Sequence, residues 1–130
     1  QRQMCIRDSF ITMILNNGKY NDQQILSPTT IDLMFTPQVH EKSGVICKET
    51  IRGLGWLIGG FASSSGDLTS NQTIHHTGFT GTCAWADPKN HLVFVFLSNR
   101  IYPRPFDHKQ LMRLNIRPRM QQVMYQALMK

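Results

Sequence analysis

Apolar and polar positions change rhythm several times along the chain, and each change predicts an element. In residues 10–16, Phe10, Ile11, Ile14 and Leu15 recur at helical spacing, and Gly18 stands where a left-handed residue ends such a run. The spacing reads as the tail of a longer helix. Ser27 before Pro28 offers an N-cap and a first-position proline, and Ile31, Leu33, Met34 and Phe35 continue the apolar positions to Thr36-Pro37, where the helix must stop. Residues 39–50 are polar and uneven, which predicts a loop or an irregular hairpin. Residues 52–59 alternate, with Leu54, Trp56 and Ile58 on one face, and predict a strand.

Residues 62–71 are rich in Ser, Gly, Asp and Thr, as an exposed connection is. Asp87-Pro88-Lys89-Asn90 then separates two β-prone runs by a hairpin's length, and Leu92 to Leu97 is apolar at every position, as in a strand covered on both faces. Pro118 can open a last helix whose stripe of Met120, Val123, Met124, Ala127 and Leu128 would cover one face of the sheet. The order of elements gives an α+β class, with an antiparallel meander and flanking helices.

Composition narrows the picture. At 130 residues, 41% hydrophobic and 17% charged, the chain matches one globular domain and not a disordered segment. No apolar run reaches the roughly 18 residues of a membrane span. The net charge of +6 sits wholly in the last segment, where Arg100, Arg104, Lys109, Arg113, Arg117, Arg119 and Lys130 oppose Asp107. Those residues alternate with Leu111, Leu114, Met120, Val123 and Leu128, so they read as a solvated helix face and not as a nucleic-acid surface. Cys5, Cys47 and Cys83 have neither metal-ligand spacing nor a disulfide pattern, and Cys83 reads as a small buried thiol. His75 and His76, as strand neighbours, face opposite ways and cannot easily grip one ion, so no metal is expected. Trp56 and Trp85 read as core.

The chemistry concentrates in His76-Thr77-Gly78-Phe79-Thr80-Gly81-Thr82. A basic residue, a hydroxyl and a glycine opening one strand of a pair can set a cation, an O–H and exposed backbone N–H groups along one edge of a cleft. With Asn17-Gly18-Lys19-Tyr20-Asn21, Ile25-Leu26-Ser27-Pro28-Thr29-Thr30, Gly53-Leu54-Gly55-Trp56 and Leu97-Ser98-Asn99-Arg100 in the same order, the chain from Phe10 onward resembles the C-terminal part of the serine beta-lactamase and penicillin-binding-protein family. His76 takes the Lys place of that family's third box, as in class C-like esterases and peptidases.

The resemblance implies the C-terminal portion of the beta-lactamase/transpeptidase-like fold and a serine hydrolase acting on an amide or ester bond through an acyl-enzyme, without metal or organic cofactor. It implies that His76 is the box's basic residue, that Thr77 and Gly78 bind substrate, and that the Phe79 N–H is one oxyanion-hole donor. It further implies a small-molecule or peptidoglycan-peptide-like substrate and a periplasmic or exported parent. The sequence holds no Ser-x-x-Lys and no Tyr-x-Asn, so the family's nucleophile and base lie outside it and the fragment alone is expected to be inactive. Residues 1–9 look like translated adapter sequence joined to a truncated frame, leaving 10–130 as the domain portion. Two other readings stand beside this one: a non-catalytic binding module that keeps the cleft, and a plain surface histidine at position 76.

Overall fold

The computed structural model describes the backbone of residues 2–42, 49–59, 67–103 and 109–128, and side chains within these except at 2–7, 41–42 and 49–50. Helix α1 spans Arg2–Leu15, so the adapter-like residues and the predicted helix tail form one element. It ends as expected: the Gly18 N–H donates to Met13 O at 2.9 Å, with Gly18 at φ +86°. A Cβ there would lie 2.1 Å from Leu26 O, so only glycine fits. Ile11, Met13 and Ile14 are buried, whereas Phe10 is exposed. Strands β1 (Lys19–Tyr20) and β2 (Gln23–Gln24) follow, joined by Asn21 and Asp22 at positive φ, the geometry of a tight two-residue hairpin.

Helix α2, Pro28–Phe35, has the predicted N-cap: Thr30 N–H donates to Ser27 Oγ at 3.1 Å. Its buried contact is Ile31, while Leu33 faces outward. A six-stranded antiparallel meander comes next, β3 (Val39–Lys42), β4 (Glu49–Arg52), β5 (Leu57–Ile58), β6 (Ile74–Thr77), β7 (Cys83–Asp87) and β8 (Leu92–Phe96), neighbours in space as in sequence. The α+β class and the meander are those expected. Strands β3 and β4 pair as a hairpin, in keeping with the irregular hairpin read from residues 39–50; its tip and residues 60–66 of the polar connection lie outside the described residues, as do Cys47, Arg104 and Asp107.

Two expectations need correction. The strand read over 52–59 is broken: β4 ends at Arg52, Gly53 N–H donates to Trp56 O at 2.9 Å, and Gly55 adopts φ +75°. Leu54 is therefore exposed at the turn, and pairing resumes only at β5. The turn glycine, not the alternating side chains, decides the backbone here. The final helix is also rotated from its apolar stripe. After a short α3 (Gln110–Arg113), α4 spans Ile116–Leu128, with Pro118 inside its first turn, where no intrahelical N–H is needed. Its buried residues are Gln121 and Tyr125, with Met124 packed beside them, while Met120, Val123 and Leu128 are exposed.

The sheet divides the core. Ile74, Ala84, Ala86, Val93 and Val95 share the face packed by Ile11, Ile14 and Ile31 of α1 and α2. Trp85, Cys83 and Phe94 share the other face with Met124 of α4, and the Trp85 and Phe94 rings lie 4.8 Å apart at 42°. Trp85 and Trp56 are thus core residues, the first fully buried and the second packed half-buried against the first cluster.

Candidate active site

Strand β6 presents the His-Thr-Gly box at its end. In register, His75 faces Trp85, His76 faces Ala84 and Thr77 faces Cys83, so the two histidines do point to opposite faces. His75 is wholly enclosed, with both ring nitrogens lacking a partner among the described residues, and burial, aided by the neighbouring His76, pulls its pKa down to about 4. His76 is exposed, and its Nδ1 lies 3.0 Å from Thr77 O. A carbonyl only accepts, so Nδ1 carries the proton, and in the neutral ring Nε2 keeps its lone pair.

Beyond the strand, the chain turns tightly. Gly78 N–H donates to Thr82 O at 2.7 Å, Gly81 N–H donates to Gly78 O at 2.9 Å, and Gly81 sits at φ +96°. Within the planar trans peptide joining Gly78 to Phe79, the C=O and N–H point opposite ways. Because Gly78 O is taken inside the turn by Gly81, the Phe79 N–H faces outward, and it has no acceptor among the described residues. That is what an oxyanion donor requires. A Cβ on Gly78 would lie 2.3 Å from Thr82 Oγ1, so the glycine leaves room for that hydroxyl.

His76, Thr77, Gly78, Thr82, Cys83 and Ala84 line one hollow of about 180 Å³. It holds three of the four residues expected at the site; Phe79, next in the chain after Gly78, is not among its lining residues. Burial pushes the Cys83 thiol in this wall up to about 12, against the opposing pull of Arg117, so it is no nucleophile near neutral pH. A larger cavity of about 470 Å³ lies between α1, α2 and the sheet, lined by Ile14, Ile31, Phe35 and Ile58 among others. None of the box residues lines it, although its wall also carries polar Asn17, Asp32, Thr36, Asn71 and Gln72. The smaller hollow is the candidate.

The sequence reading missed two parts. Thr82 lies within the quoted motif with no role assigned to it, and Arg100 figures in the sequence only as one basic residue of the last segment and the end of the Leu-Ser-Asn-Arg motif. In the structure, Arg100 Nε donates to Phe79 O at 2.7 Å and its guanidinium carbon lies 5.1 Å from the Phe79 ring centre. The Leu-Ser-Asn-Arg motif was the available signal. Its partner lies 21 residues away, beyond any local pattern.

A sequence profile described as Beta-lactamase matches residues 5–116. The chain belongs to the beta-lactamase family. Two curated relatives, named D-alanyl-D-alanine carboxypeptidase, come from Escherichia coli O157:H7 and Escherichia coli strain K12. They are 41% and 40% identical over 90 residues, covering 67% of this chain and 19% of each relative. The beta-lactamase-family chain thus spans about a fifth of the length of the curated relatives it matches. Among solved structures, a beta-lactamase from Mycobacterium bovis superposes with a TM-score of 0.66 at 20% identity, covering 92% of this chain and 42% of its own. A penicillin-binding protein homolog from Caulobacter crescentus gives 0.58 at 19% identity, covering 69% and 24%. A family VIII carboxylesterase gives 0.56 at 19% identity, covering 85% and 29%. These likenesses establish the fold, which is the beta-lactamase one expected.

Proposed function

We propose that this chain forms one wall of a serine acyl-transfer site that cleaves an amide or ester bond, with a D-alanyl-D-alanine-type peptide as the favoured substrate class. The observation that carries this reading is the single hollow shared by His76, Thr77 and Gly78, with the Phe79 N–H, unpaired among the described residues, one residue further along the same turn. His76 Nε2 accepts within the proton-transfer network, the Thr77 hydroxyl binds substrate, and Phe79 N–H stabilises the tetrahedral oxyanion. The nucleophilic serine and its lysine come from polypeptide outside these 130 residues, since no Ser-x-x-Lys occurs within them. The names of the curated relatives support a peptide substrate.

The test is to express this chain joined to its upstream coding sequence, label the product with a fluorescent penicillin or a fluorophosphonate, and assay D-alanine release from a peptide ending in D-alanyl-D-alanine. Covalent label lost on substituting the upstream serine supports the reading. A folded product that takes neither probe and releases nothing overturns it in favour of a binding module.

A further inference from the structure

We propose that Arg100 is a positioning residue that holds the Gly78–Thr82 turn in the form that presents the Phe79 N–H, an inference resting on the oxyanion role given to that N–H above. The turn's own bonds secure its base, through Gly78 N to Thr82 O and Gly81 N to Gly78 O. They leave the two tip carbonyls, of Phe79 and Thr80, without partners from within the turn. Both are taken from outside, by the chain leaving β8. Arg100 Nε donates to Phe79 O at 2.7 Å, the Arg100 N–H donates to Thr80 O at 2.8 Å, and Ser98 Oγ adds a longer contact of 3.4 Å to Thr80 O.

The same guanidinium covers the Phe79 ring at 5.1 Å, although that ring is 72% exposed. Gly81, the left-handed hinge of the turn, fits against this clamp: a Cβ there would stand 2.7 Å from Ser98 Oγ and 3.4 Å from Arg100 Cδ. One residue thus fixes a ring and two carbonyls at a tip flanked by two glycines, where backbone freedom is otherwise greatest. If the tip loosens, the Gly78–Phe79 peptide can rotate and put a carbonyl where the N–H should be, and the donor is lost.

Arginine is required by the geometry. A planar fork can donate from Nε while its face lies on the ring, whereas a lysine ammonium keeps the charge but cannot do both. Arg100→Lys should therefore resemble Arg100→Ala, which separates the clamp from a simple charge effect.

Two measurements test this. Amide hydrogen exchange on the full chain should show the Gly81 N–H exchanging about tenfold faster or more in Arg100→Ala and Arg100→Lys, with Trp85 and Phe94 in the neighbouring ladder unchanged. Arg100→Gln, which keeps part of the stem, serves if either variant fails to fold. Gly81 exchange that no variant alters overturns the clamp. In the acylating form of the protein, the same variants should lower the rate of covalent labelling about tenfold or more while half-saturation stays within about twofold. An unchanged labelling rate in a variant with a loosened turn overturns the link to the Phe79 N–H. Absence of labelling in the unsubstituted protein, with the turn still dependent on Arg100, refutes the hydrolase reading and leaves the clamp standing.

Discussion

Tyr125 of α4 donates its hydroxyl to Asp87 Oδ2 at 2.5 Å, across 38 residues of sequence, at the end of β7 beneath the helix. Asp87 also accepts from Ser70 Oγ at 2.6 Å, Ser70 N–H at 3.1 Å and Asn90 Nδ2 at 2.8 Å. Burial would raise a lone carboxyl, yet these bonds outweigh it and bring Asp87 down to about 2. Tyr125 moves the opposite way, raised by burial and by the carboxylate it serves, so it stays a donor. The pair fixes the rotation of α4.

Removing the hydroxyl tests that claim. Tyr125→Phe takes one charge-assisted bond from a buried carboxylate and should cost about 1.5–3 kcal/mol. Chemical denaturation at neutral pH reads it directly. Because the folded Asp87 holds its proton less tightly than the unfolded one, its contribution is present above the usual carboxylate pKa and fades as pH falls toward 2. Stability of Tyr125→Phe indistinguishable from the parent would show that apolar contacts alone set the helix.

This anchor also explains what could be read from the sequence. Features encoded by neighbouring residues were legible: the Ser27-Pro28 start of α2, the Gly18 stop of α1, the turn at 87–90 and the order of the meander. The box at 76–78 was legible because its three residues share one strand end. The face of α4 was not, because the apolar stripe Met120, Val123 and Leu128 competes with a polar bond to a partner in β7, and the bond wins. The break at Gly55 and the reach of Arg100 are likewise set by contacts or backbone geometry that no periodicity reports.

His75 should make stability fall in mild acid. Its folded pKa of about 4 lies below the ordinary value of 6.5, so the unfolded chain takes up the proton first. The contribution is whole above pH 6.5, shrinks as pH drops toward 4, and totals about 3 kcal/mol. Thermal unfolding between pH 7 and pH 4 follows it, and a His75→Phe variant should lose most of the slope in that window. The same slope in the variant would assign it to other groups.

Gly78→Ala probes the site wall. The added methyl meets Thr82 Oγ1 at 2.3 Å, a clash that should cost about 1–3 kcal/mol as overpacking does. Thr82→Ala removes the obstructing hydroxyl, so the double variant should recover most of the loss. A double-mutant cycle by urea unfolding measures the coupling, and additive effects would mean that the turn has moved instead of yielding at Thr82.

His76 decides between two chemistries. If its Nε2 accepts a proton during acyl transfer, His76→Ala in the acylating protein should lower kcat/KM on a p-nitrophenyl ester about a hundredfold or more. His76→Lys should stay low, since an ammonium donates and has no lone pair to offer. If the ring instead only attracts a substrate carboxylate, lysine restores activity on a D-alanyl-D-alanine peptide. The contact of Nδ1 with Thr77 O favours the accepting role, because it commits the ring's one neutral-state proton to the backbone and leaves the Nε2 lone pair free to act as a base. Full activity of His76→Lys on both substrates would reverse that assignment.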